Sequence, residues 1–517
     1  MGIFSTGFAA LTLLGLILLK LFPAKWRWLV LLGLSWGFYA FCGLGPFAVL
    51  LAVTGLGYAA GRRLSALNER LAALDKGDKP QTEALRGRKK RTLALALVLL
   101  FGALFAFKYL SGLTAGLDRL LGLGWSLPAL FVPLGLSYYC FQSAGYMIDC
   151  YRGGVTAERS FPRYALFVAF FPQLTEGPIG RYGDLAPQLA DPKPLTWESA
   201  KTGLQLILWG ALKKLVIADR AAVVVSEIYG NYTAYGGVMI AVGVLFYCIQ
   251  LYCDFSGTID VVRGVAYLLG VELAENFRRP IFAVSLTDYW RRWHISLGAW
   301  LRDYMFYPIS LSRWYQKISR RLRKRLGGRF GKILPTSLVT FLIYFVIGVW
   351  HGSSLKYLAF GVYNGVIITA GLLAEPLFEK FCVSRGIDRK SRDMRAFGML
   401  RTTCIVFVGR YLTRAGSLRA ALAMLWKTVR HPIPSQFSSG ALFRLGLTGL
   451  DLALIGCGVL AVLFVEARTE RGDDLDGALE RRRGLRTLLT FLALAVLLLF
   501  GVFRGSYIPT EMIYQQF

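Results

Sequence analysis

Three histidines occur in 517 residues, at positions 294, 351 and 431, and they frame the chemistry open to the chain. Histidine titrates near neutral pH and takes a proton from a hydroxyl, which few other side chains do well. His351 lies in the string GVWHGSS, inside a stretch from Pro335 to Leu355 that has no Lys, Arg, Asp or Glu. An ionisable group in so apolar a setting is costly, and burial favours the neutral imidazole that a general base needs. A histidine bonded to a backbone carbonyl at a helix end would leave the same pattern, and residue types alone divide the two readings evenly. His431 precedes Pro432, Ile433 and Pro434 and reads as a surface turn.

His294 stands in YWRRWHISLGAWLRDYMFYP, with Trp290, Trp293 and Trp300 within eleven positions. The plainer reading is an interfacial helix, Trp at headgroup level and Arg snorkelling, and the residue pattern favours it. The sharper reading is a pocket in which Arg291, Arg292 and Arg302 receive an anionic, phosphate-bearing ligand. Acyl transfer from a thioester would need a base and donors for the developing oxyanion. His351 fits the first need; Asn276, Trp293 and Ser296 are candidate donors, with Asp303 in support. Metal chemistry is poorly served: no HxxxH pair occurs, and none of the eight cysteines forms a CxxC pair. Walker, GxGxxG and GxSxG motifs are absent too, against an ATP-driven pump or a serine hydrolase.

The elements that must position these residues are membrane helices. Hydrophobic residues make up 55% and charged residues 18%, and the mean hydropathy is +0.48. A soluble chain is less apolar and about 25% charged. The net charge of +29 comes from basic clusters in short polar breaks between apolar runs. That is the positive-inside pattern of a polytopic membrane protein, not a nucleic-acid binder. Apolar runs cover 6–22, 28–42, 46–61, 92–110, 127–148, 237–253, 334–350, 355–374, 444–465 and 487–503. The first has no basic n-region before it and reads as a retained helix, not a cleaved signal. Segments 164–174, 203–218 and 258–271 are short or charged and read as re-entrant pieces.

Residues 62–91 carry ten Lys/Arg against four Asp/Glu, and 313–332 carry nine basic residues and no acidic one. Both are expected in the cytoplasm, which places the N-terminus, and the tail 504–517, outside. The expectation is one all-α integral membrane domain over 1–517, of roughly eleven spans plus re-entrant helices. Its parts are a basic cytoplasmic loop at 62–91, a catalytic core at 133–370 and C-terminal helices with an external tail at 371–517. From sequence physics, a transporter with His351 in its path, or a non-catalytic scaffold for polymer assembly, competes with an enzyme.

The string NFRRPIFAVSLTDYWRRWHISLGAWLRDYMFYPI at 276–309 resembles the signature block of the membrane-bound O-acyltransferase family. Upstream blocks agree: PLGLSYYCFQSAGYMIDCYRG at 133–153, FFPQLTEGPIGRY at 170–182 and IQLYCDFSGTID at 249–260. VWHG places His351 where that family has its intramembrane histidine. Within the family, the length and the ending EMIYQQF are similar to the branch that O-acetylates alginate. Thr175, Glu176 and Cys253 depart from that branch's pattern. The resemblance implies a helical bundle around a funnel in a bacterial cytoplasmic membrane. It implies acyl transfer from a cytoplasmic thioester, acetyl-CoA or an acyl carrier protein, with no tightly bound cofactor. His351 would be the general base, and His294 would lie nearer the cytoplasmic mouth. The acceptor would be a hydroxyl of an exopolysaccharide or of an extracytoplasmic, SGNH-type acetyltransferase partner. D-alanyl transfer to teichoic acid is the alternative within the family. For His351 to lie at mid-bilayer, the helix before it must break or tilt, and Gly348 and Gly352 are the residues expected to allow it.

Overall fold

The computed structural model describes residues 2–75, 78–122, 124, 131–327 and 330–503. The tail expected outside the membrane, 504–517, falls outside the described residues. Seven of the described helices are long and apolar enough to cross a membrane, against the roughly eleven expected. They are Leu44–Ala73, Lys79–Asp118, Gly237–Leu268, Phe330–His351, Leu355–Ser384, Gly449–Glu470 and Arg483–Phe500. Thr6–Leu21 and Ala24–Ala40 are apolar but only 16 and 17 residues long. At 1.5 Å per residue they reach about 25 Å, short of a ~30 Å hydrocarbon core. No residue of Arg483–Phe500 is buried, and Phe491 and Leu499 are largely exposed, as suits a helix bathed in lipid.

The chain folds as two units, one of residues 1–207 and 259–275, the other of 208–258 and 276–517. In the first, Ser5 caps Thr6–Leu21 through the Phe8 N–H. The 62–91 block, expected as a loop, is helical over 62–73 and 79–91: it extends Leu44–Ala73 and opens Lys79–Phe105, which Asp78 caps. Leu44–Ala73 packs on Leu136–Arg152, where a Cβ on Gly61 would come within 2.5 Å of the Tyr146 ring. Tyr146 packs against Tyr164 and Tyr182 with tilted rings, centroids 4.5 and 4.7 Å apart. Glu158 ties this cluster down: its N–H donates to the Tyr146 hydroxyl and its carboxylate accepts from Tyr182. The expected short pieces are here as well. Phe161–Ala169 and Phe171–Leu174 are too short to cross a bilayer and are wholly enclosed from Tyr164 onward.

In the second unit, Leu212–Ala218 winds as a π-helical turn that carries the two lysines expected to spoil a plain span. Both are buried. Lys213 donates to Ser256 at 3.0 Å, and Lys214 bridges Asp219 and Asp254 at 2.7 and 2.8 Å. Pairing is what makes such burial tolerable. Although burial opposes its charge, the two carboxylates hold the Lys214 ammonium above its ordinary range. Phe330–His351 and Leu355–Ser384 form a hairpin. Its contact is so close that a Cβ on Gly348 would meet the Tyr357 carbonyl at 2.6 Å. The break that the sequence leads one to expect at Gly348 is therefore not there. The glycine lets two backbones approach, and the helix runs unbroken for 22 residues with His351 as its last.

Candidate active site

The segment that carries His294 is shaped by its backbone before its side chains. Asn276–Arg278 runs antiparallel to Arg292–Ile295. Phe277 bridges Trp293, Arg278 N–H donates to the Arg292 carbonyl at 2.8 Å, and Ile295 N–H to the Asn276 carbonyl at 3.0 Å. Between them, Ser285 caps the short helix Leu286–Arg292. Two non-glycine residues in this clip, Arg279 and His294, hold φ of +50°. That left-handed conformation costs of order 1–3 kcal/mol at a residue with a Cβ, and persists only where surroundings over-determine it.

Those surroundings are identifiable. The Asn276 side-chain oxygen accepts from Ser296 N–H at 3.0 Å and Ser296 Oγ at 2.9 Å, and meets His294 Nδ1 at 3.3 Å. The backbone donor fixes which end of the amide is oxygen. An amide oxygen only accepts, so Nδ1 of His294 carries the ring proton. His294 is 2% exposed, and burial pushes its imidazole down to about 3. It is thus neutral at working pH, a hydrogen-bonding group with no charge of its own. Phe255 lies edge-on to it at 5.1 Å.

Trp350 joins the two histidines. Its ring centroid is 6.3 Å from His294 and 4.9 Å from His351. His351 is 8% exposed, with Tyr357 and Phe360 of the next helix at 6.2 and 5.9 Å. Trp290 seals this side, packing on Tyr344 and Phe360 and donating its indole N–H to Asn364 at 3.3 Å. The arrangement brings two imidazoles and an indole together in a largely buried setting, where each hydrogen bond counts for more than in water.

The other candidates divide. Asn276, Trp293 and Ser296 lie in the His294 cluster. Trp293 stacks on Tyr289 at 5.7 Å, beneath the Arg410 guanidinium at 5.1 Å. Arg292 is committed elsewhere: it bonds Asp288 at 3.0 Å and grips Glu470 through both terminal nitrogens at 3.0 and 3.1 Å. Arg302, exposed itself, pairs with its neighbour Asp303, and Arg291 is exposed. His431 ends the Leu418–Arg430 helix and is exposed, as its proline-rich context suggests. Among the described residues, no group of three His, Cys, Asp or Glu side chains is placed to hold a metal ion.

Sequence reasoning missed Trp350, Phe255 and Glu470. Trp350 was signalled by adjacency to His351. Glu470 was not, because its partners Arg279 and Arg292 lie far away in sequence. It clamps both ends of the strained clip, bonding Arg279 at 2.8 Å as well. Glu470→Gln is expected to lower turnover ~10-fold, the order of one charge-assisted hydrogen bond, with the donor KM unchanged. A raised KM at constant kcat would instead make Arg292 a donor ligand, as the sequence reading had it.

The described residues are helical, with several apolar spans and two buried, neighbouring histidines. The profile of the membrane-bound O-acyltransferase family (MBOAT) matches residues 157–320 and 324–390. A protein of Pseudomonas syringae pv. tomato described as a probable alginate O-acetylase, AlgI, is 30% identical over 453 residues, 86% of this chain and 77% of its own. The chain belongs to the membrane-bound O-acyltransferase family and is an O-acyltransferase. A peptidoglycan O-acetyltransferase of Helicobacter pylori is 27% identical over 54% of this chain and 55% of its own. A teichoic acid D-alanyltransferase of Bacillus subtilis is 29% identical over 46% of this chain and 58% of its own.

Proposed function

We propose that this chain moves an acetyl group from a cytoplasmic thioester, acetyl-CoA or an acyl carrier protein, to a hydroxyl outside a bacterial cytoplasmic membrane. The acceptor is an exopolysaccharide or an extracytoplasmic acetyltransferase that passes the group on. The observation that carries the reading is the pair of buried histidines flanking Trp350. The AlgI-like relative supports acetyl over D-alanyl, because its match covers 86% of the chain where the D-alanyltransferase match covers 46%. The family assignment sets the transporter and scaffold readings aside.

In this mechanism His351 takes the proton of the acceptor hydroxyl. The freed oxygen bonds to the acyl carbon, and the C–S bond breaks. The imidazolium returns its proton to the leaving thiolate. Trp350 helps place the donor carbonyl, while His294, neutral and with its ring proton committed to Asn276, holds the surrounding backbone in place. The position of His351 favours an outside acceptor. Phe330–His351 follows the basic Arg313–Leu326 helix and is about 33 Å long. With that basic helix in the cytoplasm, His351 lies toward the opposite face.

The test is a reconstitution in liposomes with labelled acetyl-CoA and an alginate oligosaccharide as probe acceptor. The expected result is free CoA and label on the glycan. Turnover only with a D-alanyl carrier protein would overturn the acetyl assignment, and no thioester cleavage with either donor would overturn the reading.

A further inference from the structure

Three basic residues around the first helix take no part in the acyl-transfer chemistry. Lys20 lies in the last turn of Thr6–Leu21 and Arg27 in the first turn of Ala24–Ala40, while Lys193 stands between Tyr182–Ala190 and Trp197–Ala211. All three line one cavity of about 420 Å³, which no acidic side chain lines. Among the described residues, none of the three forms an ion pair. Arg27 donates its Nε–H to the Leu19 carbonyl at 3.1 Å, which leaves its two terminal nitrogens for another acceptor. Cations gathered on one cavity repel one another until an anion joins them.

Close backbone packing builds the walls. A Cβ on Gly15 would meet Leu34 and Leu269 at 3.0 and 3.2 Å, so Thr6–Leu21 lies tight on Leu269. Lys193 N–H donates to the Gly270 carbonyl at 3.1 Å, and Gly270 takes a left-handed φ of +82°. That ties the Lys193 loop to the end of Gly237–Leu268. Along Thr6–Leu21 the lining passes from Leu16 and Ile17 to Lys20, so apolar surface lies one turn from the charge. Leu195, Leu268 and Leu269 extend that surface. Outside the cavity the apolar track continues, with Leu13, Ile17 and Leu21 exposed at four-residue spacing over about 12 Å. Trp26, exposed beside Arg27, has its ring centroid 5.9 Å from the Lys25 ammonium, and Trp197 is exposed two residues beyond Leu195. Tryptophans among cations mark the headgroup level of a bilayer.

We propose that this cavity binds the headgroup of an anionic phospholipid, its phosphate held by Lys20, Arg27 and Lys193 and one acyl chain laid from Ile17 toward Leu13. The phosphate supplies the anion that the three cations lack. The apolar track takes the tail, where a soluble phosphate would leave it bare. The lipid is a resident of the fold and not a substrate, so the site stands apart from the acyl-transfer reading.

The test is photo-crosslinking of the full chain in proteoliposomes of phosphatidylglycerol and phosphatidylcholine, with a diazirine in one acyl chain of each lipid in turn. Leu460 and Phe464, exposed on Gly449–Glu470, report ordinary contact with bulk lipid. The ratio of phosphatidylglycerol to phosphatidylcholine label is expected to be about tenfold higher at Leu13 and Ile17 than at those two positions. Lys20→Gln combined with Arg27→Gln should bring it down to the bulk value. Lys193→Gln, at an exposed side chain, should lower it about fivefold, and serves if the paired variant does not fold. Excess CoA, which brings phosphates without a tail, should leave the pattern unchanged. An equal ratio at cavity and bulk positions, or a ratio that neither substitution lowers, would overturn the site. Loss of the label to CoA would overturn the lipid and make the cavity a site for soluble phosphates.

Discussion

His351→Ala is expected to leave a folded protein whose acyl transfer falls by roughly 10²- to 10⁴-fold, the contribution general-base catalysis ordinarily makes. The fold should survive because His351 is the last residue of its helix, and what locks the hairpin is the Gly348–Gly361 approach, not the imidazole. Steady-state release of CoA measures the loss, and a thermal melt in detergent separates it from unfolding. Full activity in His351→Ala would remove the residue from the mechanism. His351→Gln keeps a polar group of similar size but cannot accept and return a proton at neutral pH. It should be as inactive as the alanine variant, whereas a merely structural histidine would be rescued by it.

The second large effect is expected at Asn276. One carbonyl oxygen serves Ser296 twice and His294 once, so Asn276→Leu strands several buried donors. Each costs about 1–3 kcal/mol. A fall in turnover on the order of 10²-fold should follow, because the same bonds hold the strained left-handed backbone at His294. The neighbouring imidazole also gives a pH signature. Its folded value, about 3, lies below the ordinary 6.5. The unfolded chain therefore binds more protons between those values. Stability should be fully present above pH 6.5 and fall progressively as pH drops toward 3. Replacing His294 with Gln removes this proton uptake and should flatten that part of the stability profile. A melting temperature with the same slope in both proteins would mean that His294 is not the group responsible.

Much of this was legible before the structure. Five of the apolar runs beyond residue 40, those at 46–61, 92–110, 237–253, 334–350 and 355–374, lie in helices long and apolar enough to cross a membrane, and Gly449–Glu470 takes the greater part of a sixth, 444–465, because a run of that length leaves little else to form. The same holds for 487–503, of which Arg483–Phe500 takes the greater part. Asn276, His294 and Ser296 fall in one compact motif, but that they converge is seen only in their hydrogen bonds. Other features depend on long-range partners and left no local trace. Lys213 and Lys214 look like interruptions of a span until Ser256, Asp254 and Asp219 are seen to receive them. Gly348 looks like a helix breaker until Gly361 is found against it. Arg292 looks like a phosphate ligand until Glu470, 178 residues away, takes its guanidinium. In each case the residue type announces a need, and only the fold shows what meets it.

The central claim is that His351 acts in the chemical step and not in holding the donor. A single-turnover experiment tests it most directly, with enzyme in excess over labelled acetyl-CoA in liposomes and an acceptor oligosaccharide outside. His351→Ala should bind the donor with wild-type affinity yet leave the thioester intact on the wild-type time scale. Thioester cleavage at the wild-type rate, or a loss accounted for wholly by weaker donor binding, would contradict the account.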